Sequence, residues 1–467
     1  MGAGKVDEFL KNTYCYLFKY WILGQKIKGC TITLKNDNYI ALDSSKYHGI
    51  VYFHPMEIIE LKIENVLDHN TEFYLHFQMN NFNHAMQLFE EMKECLEQLE
   101  KEKAIKVLLS CSGGLTTSYF AELLNETAQM LNLNVHVDAC AYEKITKNID
   151  AYDIVFLAPQ IAYQIARLKQ VNNNVPVLTI PSQIFAKYDT KGFFDLLFEE
   201  LAKINRQEKV AIQIKKKTKK KKSVLCIAIF RDRRRIHILY RLYDRDQNLI
   251  LDNEIIKLNI SILDISDIIG YVIASYHDLD IIGISSPGFV DKKGMLVSTY
   301  LDGLDNCLIM NELSQQYKQK IYIYNDVNCA AAGYYASQNK YENLAFIFQP
   351  VNHYSGAGLI INGKLIQGQA NLAGEIQYAS RHLKTEYFLE EKTKQQIVDI
   401  LLNDVLLIIS VIDPDLIVIY TELVTDLKLL ETNLKEKLPE DSLPIIKKVG
   451  NFNEYNLIGL LHLCLSH

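Results

Sequence analysis

The residue of this chain with the clearest chemical potential is Cys111. An apolar run from Val107 to Ser110 ends at its thiol, the small-residue loop Ser112 to Ser118 follows, and an amphipathic helix is predicted to open near Tyr119. A thiol between the end of a strand and the start of a helix meets unpaired backbone N–H groups and the positive end of the helix dipole, which favour its thiolate. The same amides suit a phosphate carried on the sulfur. Small residues at Ser112, Gly113, Gly114, Thr116 and Thr117 let the backbone curl round an anion, and the hydroxyls can add hydrogen bonds to its oxygens. The plain structural alternative is a buried cysteine ahead of an ordinary helix cap.

The loop also separates a carrier from a hydrolase. Cysteine phosphatases with a similar loop place an arginine six residues after the nucleophile, where it clamps the phosphoryl oxygens in the transition state. That position is Thr117 here, and positions 112 to 118 hold no arginine. A phosphocysteine formed at Cys111 lacks the main device for its rapid hydrolysis, as a relay requires.

Three further segments extend the pattern: Phe156-Leu157-Ala158-Pro159-Gln160-Ile161-Ala162-Tyr163, Val175 to Pro181, and Lys187-Tyr188-Asp189. With the loop they resemble the enzyme IIB domain of the lactose/cellobiose class of the sugar phosphotransferase system, over Ile105 to about Leu201. The family loop reads Cys, Ser or Ala, any residue, Gly, Met, Ser, Thr, Ser. This chain departs from it at Leu115 and Thr116, both close in shape. The resemblance implies that Cys111 is catalytic and that Ser112, Gly113, Gly114, Leu115, Thr116, Thr117 and Ser118 form the phosphate loop. It further implies a phosphohistidine IIA protein as donor and a sugar held by a membrane IIC permease as acceptor.

The elements that position these residues follow from pattern. At 467 residues and 49% hydrophobic content the chain has material for two to four domains with proper cores, and no disordered or fibrous class fits. Residues 1–103 are predicted to be a small α+β unit of no recognised family. It opens on a helical, aromatic-rich segment, continues with short strands such as Thr31–Leu34, Ile58–Ile63 and Phe73–Phe77, and closes with a helix over His84–Lys101. Met86, Leu88, Phe89, Met92, Leu96 and Leu99 give that helix a core stripe. Its five histidines are expected in strands and turns rather than as phosphate carriers.

In the second unit, 104–206, strands at Val107–Ser110, Val135–Asp138, Ile154–Leu157 and Val177–Ile180 alternate with helices. That alternation predicts a four-stranded parallel sheet covered on both faces, with Cys111 at a carboxyl strand end.

Residues 207–223 contain Lys215 to Lys222, a run expected to be a solvated linker through mutual repulsion. The net charge of −6 makes this run local, and no helix-turn-helix pattern is present, so no nucleic-acid partner is expected. Nine cysteines without a C-x-x-C pair and scattered histidines indicate neither a disulfide framework nor a metal site, and no cofactor is indicated. The expected compartment is the cytoplasm. Tyr14 to Gly24 is too short to span a bilayer and is interrupted by Lys19, and no signal-peptide pattern precedes it.

From Val224 to His467, three strands in quick succession and then alternating helices and strands predict a two-lobed α/β fold. Gly283 to Asp291, Tyr324 to Gly333, Gly356 to Leu365 and Asn371 to Ile376 resemble the ROK family of sugar kinases and sugar-responsive repressors, which implies an actin/hexokinase-like architecture. The resemblance implies that Asp326 is the base for a sugar hydroxyl and that Asn325 and Glu375 bind sugar, roles within the chemistry of a carboxylate and an amide.

The departures from that family matter as much. Its first hairpin, Asp-x-Gly-Gly-Thr, is replaced by Phe230-Arg231-Asp232-Arg233-Arg234-Arg235, bulky side chains expected to form a solvated charged turn. The second phosphate loop is half lost in Asn352-His353-Tyr354-Ser355-Gly356-Ala357-Gly358, and Thr421-Glu422 stands where a Gly-Gly follows a strand. The family's zinc ligands are missing too: Tyr378 occupies the histidine position, and the cysteines are absent from Arg381 to Glu386.

The sequence therefore predicts a phosphocysteine carrier fused to a ROK-like domain that senses a sugar or sugar phosphate and does not turn over ATP, with a homodimer possible. An active ATP-dependent sugar kinase and a non-catalytic sugar-responsive regulator remain as alternatives.

Overall fold

In the computed structural model, alternation along the first strands sets the earliest core. The model describes residues 8–466 except 67–68, 102–103, 132, 146–148, 172–174, 206–211, 213, 217–219, 233–234, 277, 292–294, 299–300, 351–354, 381–393 and 425–426. Helix α1 (Glu8–Leu23) precedes an antiparallel meander of β1 (Thr31–Asn36), β2 (Tyr39–Asp43), β3 (Tyr47–His54), β4 (Ile58–Asn65) and β5 (Thr71–Gln78). Along β3 and β4 alternate side chains are buried, among them Val51, Phe53, Leu61 and Ile63, and β5 adds Phe73, Leu75 and Phe77. Helix α2 (Phe82–Glu100) lays Leu88, Phe89, Met92, Leu96 and Leu99 against them, and the side chain of Asn81 caps it by accepting the His84 N–H. Of the histidines expected in strands and turns, His48 and His54 lie in β3 beside Asp43 (2.5 Å) and Glu60 (2.8 Å) and His76 lies in β5, whereas His84 lies in the first turn of α2.

The second unit runs β6 (Ile105–Cys111), α3 (Leu115–Met130), β7 (Val135–Ala141), β8 (Ile154–Leu157), α4 (Ile165–Val171), β9 (Val177–Thr179), α5 (Ser182–Lys187) and α6 (Thr190–Asn205). All four strands are parallel, in the order β7-β6-β8-β9. One face packs Val107, Leu109 and Phe156 on Phe120 and Phe193. The other packs Leu108, Val155 and Leu157 on Ile161 and Leu168. Strands covered on both sides read as continuous apolar runs, which is why they were legible in sequence.

The third unit has two lobes. The first contains β10 (Val224–Arg231), β11 (Ile236–Tyr243), β12 (Leu249–Lys257), α7 (Ile262–Ser275), β13 (Ile281–Ser286), β14 (Phe289–Val290), β15 (Leu296–Val297), α8 (Ile309–Gln316) and β16 (Lys320–Asn325). Helix α9 (Asp326–Ala336) leads to the second lobe: β17 (Leu344–Gln349), β18 (Gly356–Ile361), β19 (Lys364–Ile366), α10 (Gln377–Ser380), α11 (Lys394–Ile412), β20 (Leu416–Thr421), α12 (Lys428–Lys437) and β21 (Ile445–Lys448). Its sheet runs β19-β18-β17-β20-β21. The closing helix α13 (Phe452–Ser466) crosses α9 at very short range.

That crossing depends on two glycines. A Cβ on Gly459 would stand 1.7 Å from the Cys329 carbonyl oxygen, and one on Gly333 would stand 1.9 Å from that of Tyr455. Gly459→Ala is therefore expected to lower stability by about 1–3 kcal/mol, the usual cost of overpacking, measured as a drop in thermal midpoint.

Two strands far apart in sequence join the first and third units. Strand β5 pairs with β12 through Tyr74 and Ile256, giving one ten-stranded sheet, β1-β2-β3-β4-β5-β12-β11-β10-β13-β16. One apolar core runs from Phe18 and Phe89 to Ile227, Ile268 and Ile282. Buried polar groups fasten the same seam. Lys257, 3% exposed, pairs with Asp264 and with Glu91 (3.1 Å), His84 meets Asp267 at 2.8 Å, and the His76 ring bonds the Tyr240 hydroxyl at 2.8 Å. The second unit is thus an insertion between the two halves of one sheet.

Two expectations are corrected here. Arg235 does not join a solvated turn: it is 6% exposed, and its Nε donates to the Glu72 carbonyl at 3.1 Å, drawn in by the β5–β12 seam. Arg233 and Arg234 lie outside the described residues. The lysine run is not wholly solvated either. Lys216 bonds Glu342 (3.0 Å) and sits 3.4 Å from the centre of the Tyr335 ring, while Lys221 and Lys222 pair with Asp246 and Asp280, each at 3.1 Å. Carboxylates distant in sequence offset the repulsion; 217–219 lie outside the described residues. Among the described residues one helix, α11, is long and apolar enough to cross a membrane, and it buries Val398, Leu401 and Val405 in the second-lobe core.

Candidate functional site

The parallel sheet ends β6 at Cys111, and the chain turns at Gly114 into α3. Gly114 has φ +85°, and a Cβ there would crowd the Ala141 amide at 3.3 Å, so glycine alone fits without strain. The Gly114 N–H donates to the Cys111 sulfur at 3.0 Å, and the Thr117 hydroxyl lies 3.3 Å from it. Cys111 is only 5% exposed, but Ser112 and Gly113 above it are exposed, so the sulfur lies shallow beneath the loop. Burial pushes its thiol up, while the Thr117 hydroxyl and the amides of Thr117, Gly114 and Gly113 outweigh burial and bring it below the ordinary thiol range.

The helix starts earlier than expected, at Leu115 rather than near Tyr119. The cause is local. Thr117 and Ser118 turn their hydroxyls back onto the Gly114 carbonyl, at 3.1 and 2.8 Å, and so belong to the first turn. Ser112, Gly113, Thr116 and Ser118 remain exposed around the mouth. The Lys187-Tyr188-Asp189 stretch packs beside α3. Tyr188 takes a left-handed backbone (φ 50°) and sets its ring 5.2 Å from Tyr119 and 5.6 Å from Phe120, and Asp189 accepts the Gly192 N–H in the first turn of α6. Sequence reading gave Tyr119 no role; its ring is 52% exposed one turn beyond the start of α3.

A second constellation lies at the junction of the lobes. Asp326 begins α9, 4% exposed, and accepts the Val327 N–H at 2.9 Å. Burial, reinforced by the negative charge of Glu375, pushes its carboxyl up to about 7. Two carboxylates supplied by different lobes therefore share one field. Asn325 caps α9, its Oδ1 accepting the Asn328 N–H (2.9 Å) and its Nδ2 donating to the Gly288 carbonyl (2.8 Å). Its amide is occupied in holding the loop after β13 against the helix. Two residues that sequence reading did not single out support the same site: Gln377 donates to Glu375 at 2.6 Å, and Asn371 reaches across to the Val290 carbonyl at 2.7 Å. Asn371 opens a segment already likened to the ROK family, and Gln377 stands two residues after Glu375.

The segments that depart from the ROK pattern are held by hydrogen bonds within the protein. In the β10–β11 turn Asp232 accepts the Arg235 N–H (2.6 Å) and meets His237 (3.0 Å), closing the turn on itself. At the end of β20, Thr421 donates to Gln349 at 2.8 Å. Asn352, His353 and Tyr354 lie outside the described residues, as do Arg381 to Glu386. Tyr378 is 45% exposed, and among the described residues no group of three His, Cys, Asp or Glu side chains gathers as cation ligands. The residues present do not fit the zinc site of the ROK family.

Comparison with known proteins assigns both segments. Residues 106–194 match the family model of the PTS system, lactose/cellobiose specific IIB subunit, and residues 260–387 match that of the ROK family. The N-acetyl-D-glucosamine kinase of Histophilus somni is 30% identical over 107 residues, 23% of this chain and 34% of that protein. The xylose repressor of Caldicellulosiruptor bescii is 31% identical over 103 residues, 21% of this chain and 25% of that protein. The chain spans 34 to 40% of the length of the curated kinases it matches. Among solved structures, a ROK family glucokinase from Streptomyces griseus in complex with glucose and AMPPNP aligns at 16% identity and TM-score 0.39, over 52% of this chain and all (100%) of that one.

Proposed function

We propose that this protein is a cytoplasmic phosphoryl carrier of a sugar phosphotransferase system, with Cys111 as the phosphorylated residue, joined to a ROK-type domain that binds a sugar or sugar phosphate without turning over ATP. The observation that carries the reading is the Gly114 amide aimed at the Cys111 sulfur, with the Thr117 hydroxyl beside it. In the forward step the thiolate attacks the phosphorus of a phosphohistidine on a IIA protein, the P–N bond breaks, and the imidazole leaves neutral after taking a proton. In the second step a sugar hydroxyl held by a IIC permease gives its proton to a base at that site and attacks the phosphorus, the S–P bond breaks, and the thiolate returns. Amides fixed before the reaction stabilise the charge that builds on the phosphoryl oxygens. The test is mass analysis of the intact chain after exposure to a phosphoenolpyruvate-driven relay ending in a IIA protein. One phosphoryl group on the peptide bearing Cys111 is expected, and an unmodified peptide overturns the reading.

The ROK-type part supports ligand sensing. A closed β10–β11 turn and the Thr421–Gln349 bond stand where polyphosphate would need open backbone, whereas Asp326 and Glu375 keep the means to read hydroxyls. With N-acetylglucosamine as probe, affinity should depend on ionised Asp326 accepting a sugar hydroxyl. Because its folded carboxyl titrates at about 7, binding should strengthen as pH rises toward that value, by about tenfold per pH unit, and then level off. Asp326→Asn should bind weakly with no such dependence in calorimetry. ATP-dependent sugar phosphorylation by the wild type would instead establish an active kinase.

A further inference from the structure

The outer face of the meander carries aromatic rings where a solvated sheet face ordinarily carries polar side chains. Helices α1 and α2 lie on the side of Val51, Phe53, Leu61 and Ile63. On the opposite side Tyr52 is 37% exposed, and the side chains of His48, His54 and Asp43 are 32, 38 and 41% exposed. Side chains alternate along a strand, so Tyr39 of β2 shares this side with His48, Ile50, Tyr52 and His54 of β3. Centre to centre, His48 lies 6.4 Å from Tyr39, Tyr39 lies 6.5 Å from Tyr52, and Tyr52 lies 4.4 Å from His54, so the rings form one continuous strip.

Hydrogen bonds hold the strip in place. Tyr39 stands opposite Tyr52, whereas His48 stands opposite Asp43, further along the same two strands. For its hydroxyl to reach His48 Nε2 at 2.7 Å, the Tyr39 side chain must lie down along β2, over Ala41, which is fully buried. Asp43 fixes His48 in turn (2.5 Å), and Glu60 fixes His54 (2.8 Å). A ring lying along a sheet keeps one face for a ligand, and its neighbours border it with carboxylate oxygens and ring nitrogens. The charge pattern narrows the choice of ligand. A nucleic acid also stacks on rings but needs cations along its phosphates. Here the charges balance over this side of β1 to β4 and the β2–β3 turn: Lys35, Lys46 and Lys62 stand against Asp43, Glu60 and Glu64. Lys35 is 3.3 Å from Asp43, and Lys62 is paired with Glu64. Aliphatic surface, which the core of a protein interface would bury, is limited on β3 to Ile50.

We infer that this face binds a neutral oligosaccharide, laid along the strip with its sugar rings stacked on Tyr39 and Tyr52. The C–H faces of the sugars cover the aromatic rings, and their hydroxyls reach the carboxylates of Asp43 and Glu60 and the ring of His54. A flat, open strip suits several linked sugars better than a single one, which would leave most of the rings in water. The site is separate from Asp326 and Glu375, and it does not depend on phosphorylation of Cys111.

The test is calorimetric titration of the full chain with cellohexaose, xylohexaose and hexa-N-acetylchitohexaose, and with octauridylate as the charged alternative, with sedimentation analysis in parallel. The wild type is expected to bind at least one of the hexasaccharides and to leave octauridylate unbound. Tyr52→Ala should weaken that binding about tenfold, the upper range for one ring contact, while Tyr52→Phe, which keeps the ring, stays at wild-type affinity. The thermal midpoint of Tyr52→Ala should be kept, because the ring lies outside the core. Tyr39→Ala with Tyr52→Ala should abolish binding. The inference is overturned if none of the hexasaccharides binds, or if Tyr52→Ala binds them like wild type, which would place the sugar elsewhere on the chain. Octauridylate binding that Tyr52→Ala removes also overturns it and assigns the rings to bases. Self-association that this variant breaks, without any effect of sugar, overturns it as well and assigns the face to a second copy.

Discussion

Cys111→Ser should take up no phosphoryl label from the relay, a loss of at least about 10³-fold in rate, while keeping its fold. The serine oxygen occupies nearly the same place at the end of β6, and the Gly114 amide can still donate to it. What is lost is the anion: a hydroxyl stays protonated at neutral pH, whereas the loop holds the Cys111 thiol below its ordinary range. The same reasoning fixes the pH profile. For the wild type the labelling rate should follow the thiolate fraction, rising with pH with its midpoint below that of an ordinary thiol. Thr117→Val removes the largest of the favourable contacts, leaving burial opposed by the amides alone, so its rise should move to higher pH and its rate at neutrality should fall about tenfold. A serine variant labelled as fast as wild type would place the phosphoryl group elsewhere; an unmoved profile in Thr117→Val would mean that the hydroxyl does not govern the thiol.

Much of this site was readable before the structure because the parallel sheet leaves little freedom. A strand buried on both faces must be apolar throughout, its carboxyl end must open into a loop, and a thiol at that end must face the first turn of the next helix. The start of α3 was not readable. Thr116, Thr117 and Ser118 have the composition of a loop, and only the left-handed Gly114 with two hydroxyls folded onto its carbonyl makes them helix. The junction of β5 with β12 was also hidden. Between them lies the whole inserted parallel-sheet unit, and the residues that seal the seam, His76, Arg235, Lys257 and Asp264, are of types usually found at the surface. The lysine run misled for a related reason. Repulsion within the run is visible in sequence, whereas Glu342, Asp246 and Asp280, which offset it, are contributed by elements that only folding brings near.

The junction of the lobes shows the same division. Asp326 and Glu375 were found through motifs, but that one charge acts on the other follows only from the way Asn371 and Gln377 hold the loop before α10. Asn325 illustrates how a motif residue acquires a second duty, since its amide both caps α9 and tethers Gly288. A sugar that claimed this amide would compete with the Gly288 tether, and the loop after β13 would then respond to ligand.

Arg241→Ala should be the most destabilising single truncation in the first lobe, at about 3–5 kcal/mol. Arg241 on β11 is 7% exposed and donates to both oxygens of Glu454, each at 2.8 Å, and through Nε to Asp252 at 3.0 Å. Its fork thus ties the sheet to the first turn of α13, the helix that also packs against α9. Removing it leaves the Glu454 carboxylate, 12% exposed, without its cation in a site too dry to hydrate it. Arg241→Ala with Glu454→Gln should recover a large part of the loss, because the stranded charge is gone. Urea unfolding followed by the fluorescence of Trp21, the single tryptophan, is the measurement. Trp21 packs against Phe89 in the core that continues beneath β12 and β11, so a first lobe that unfolds together with the meander must shift the Trp21 midpoint as far as the far-ultraviolet signal of the lobe. A Trp21 transition left in place by Arg241→Ala would mean that the ten strands do not unfold as one sheet and that the β5–β12 seam opens first.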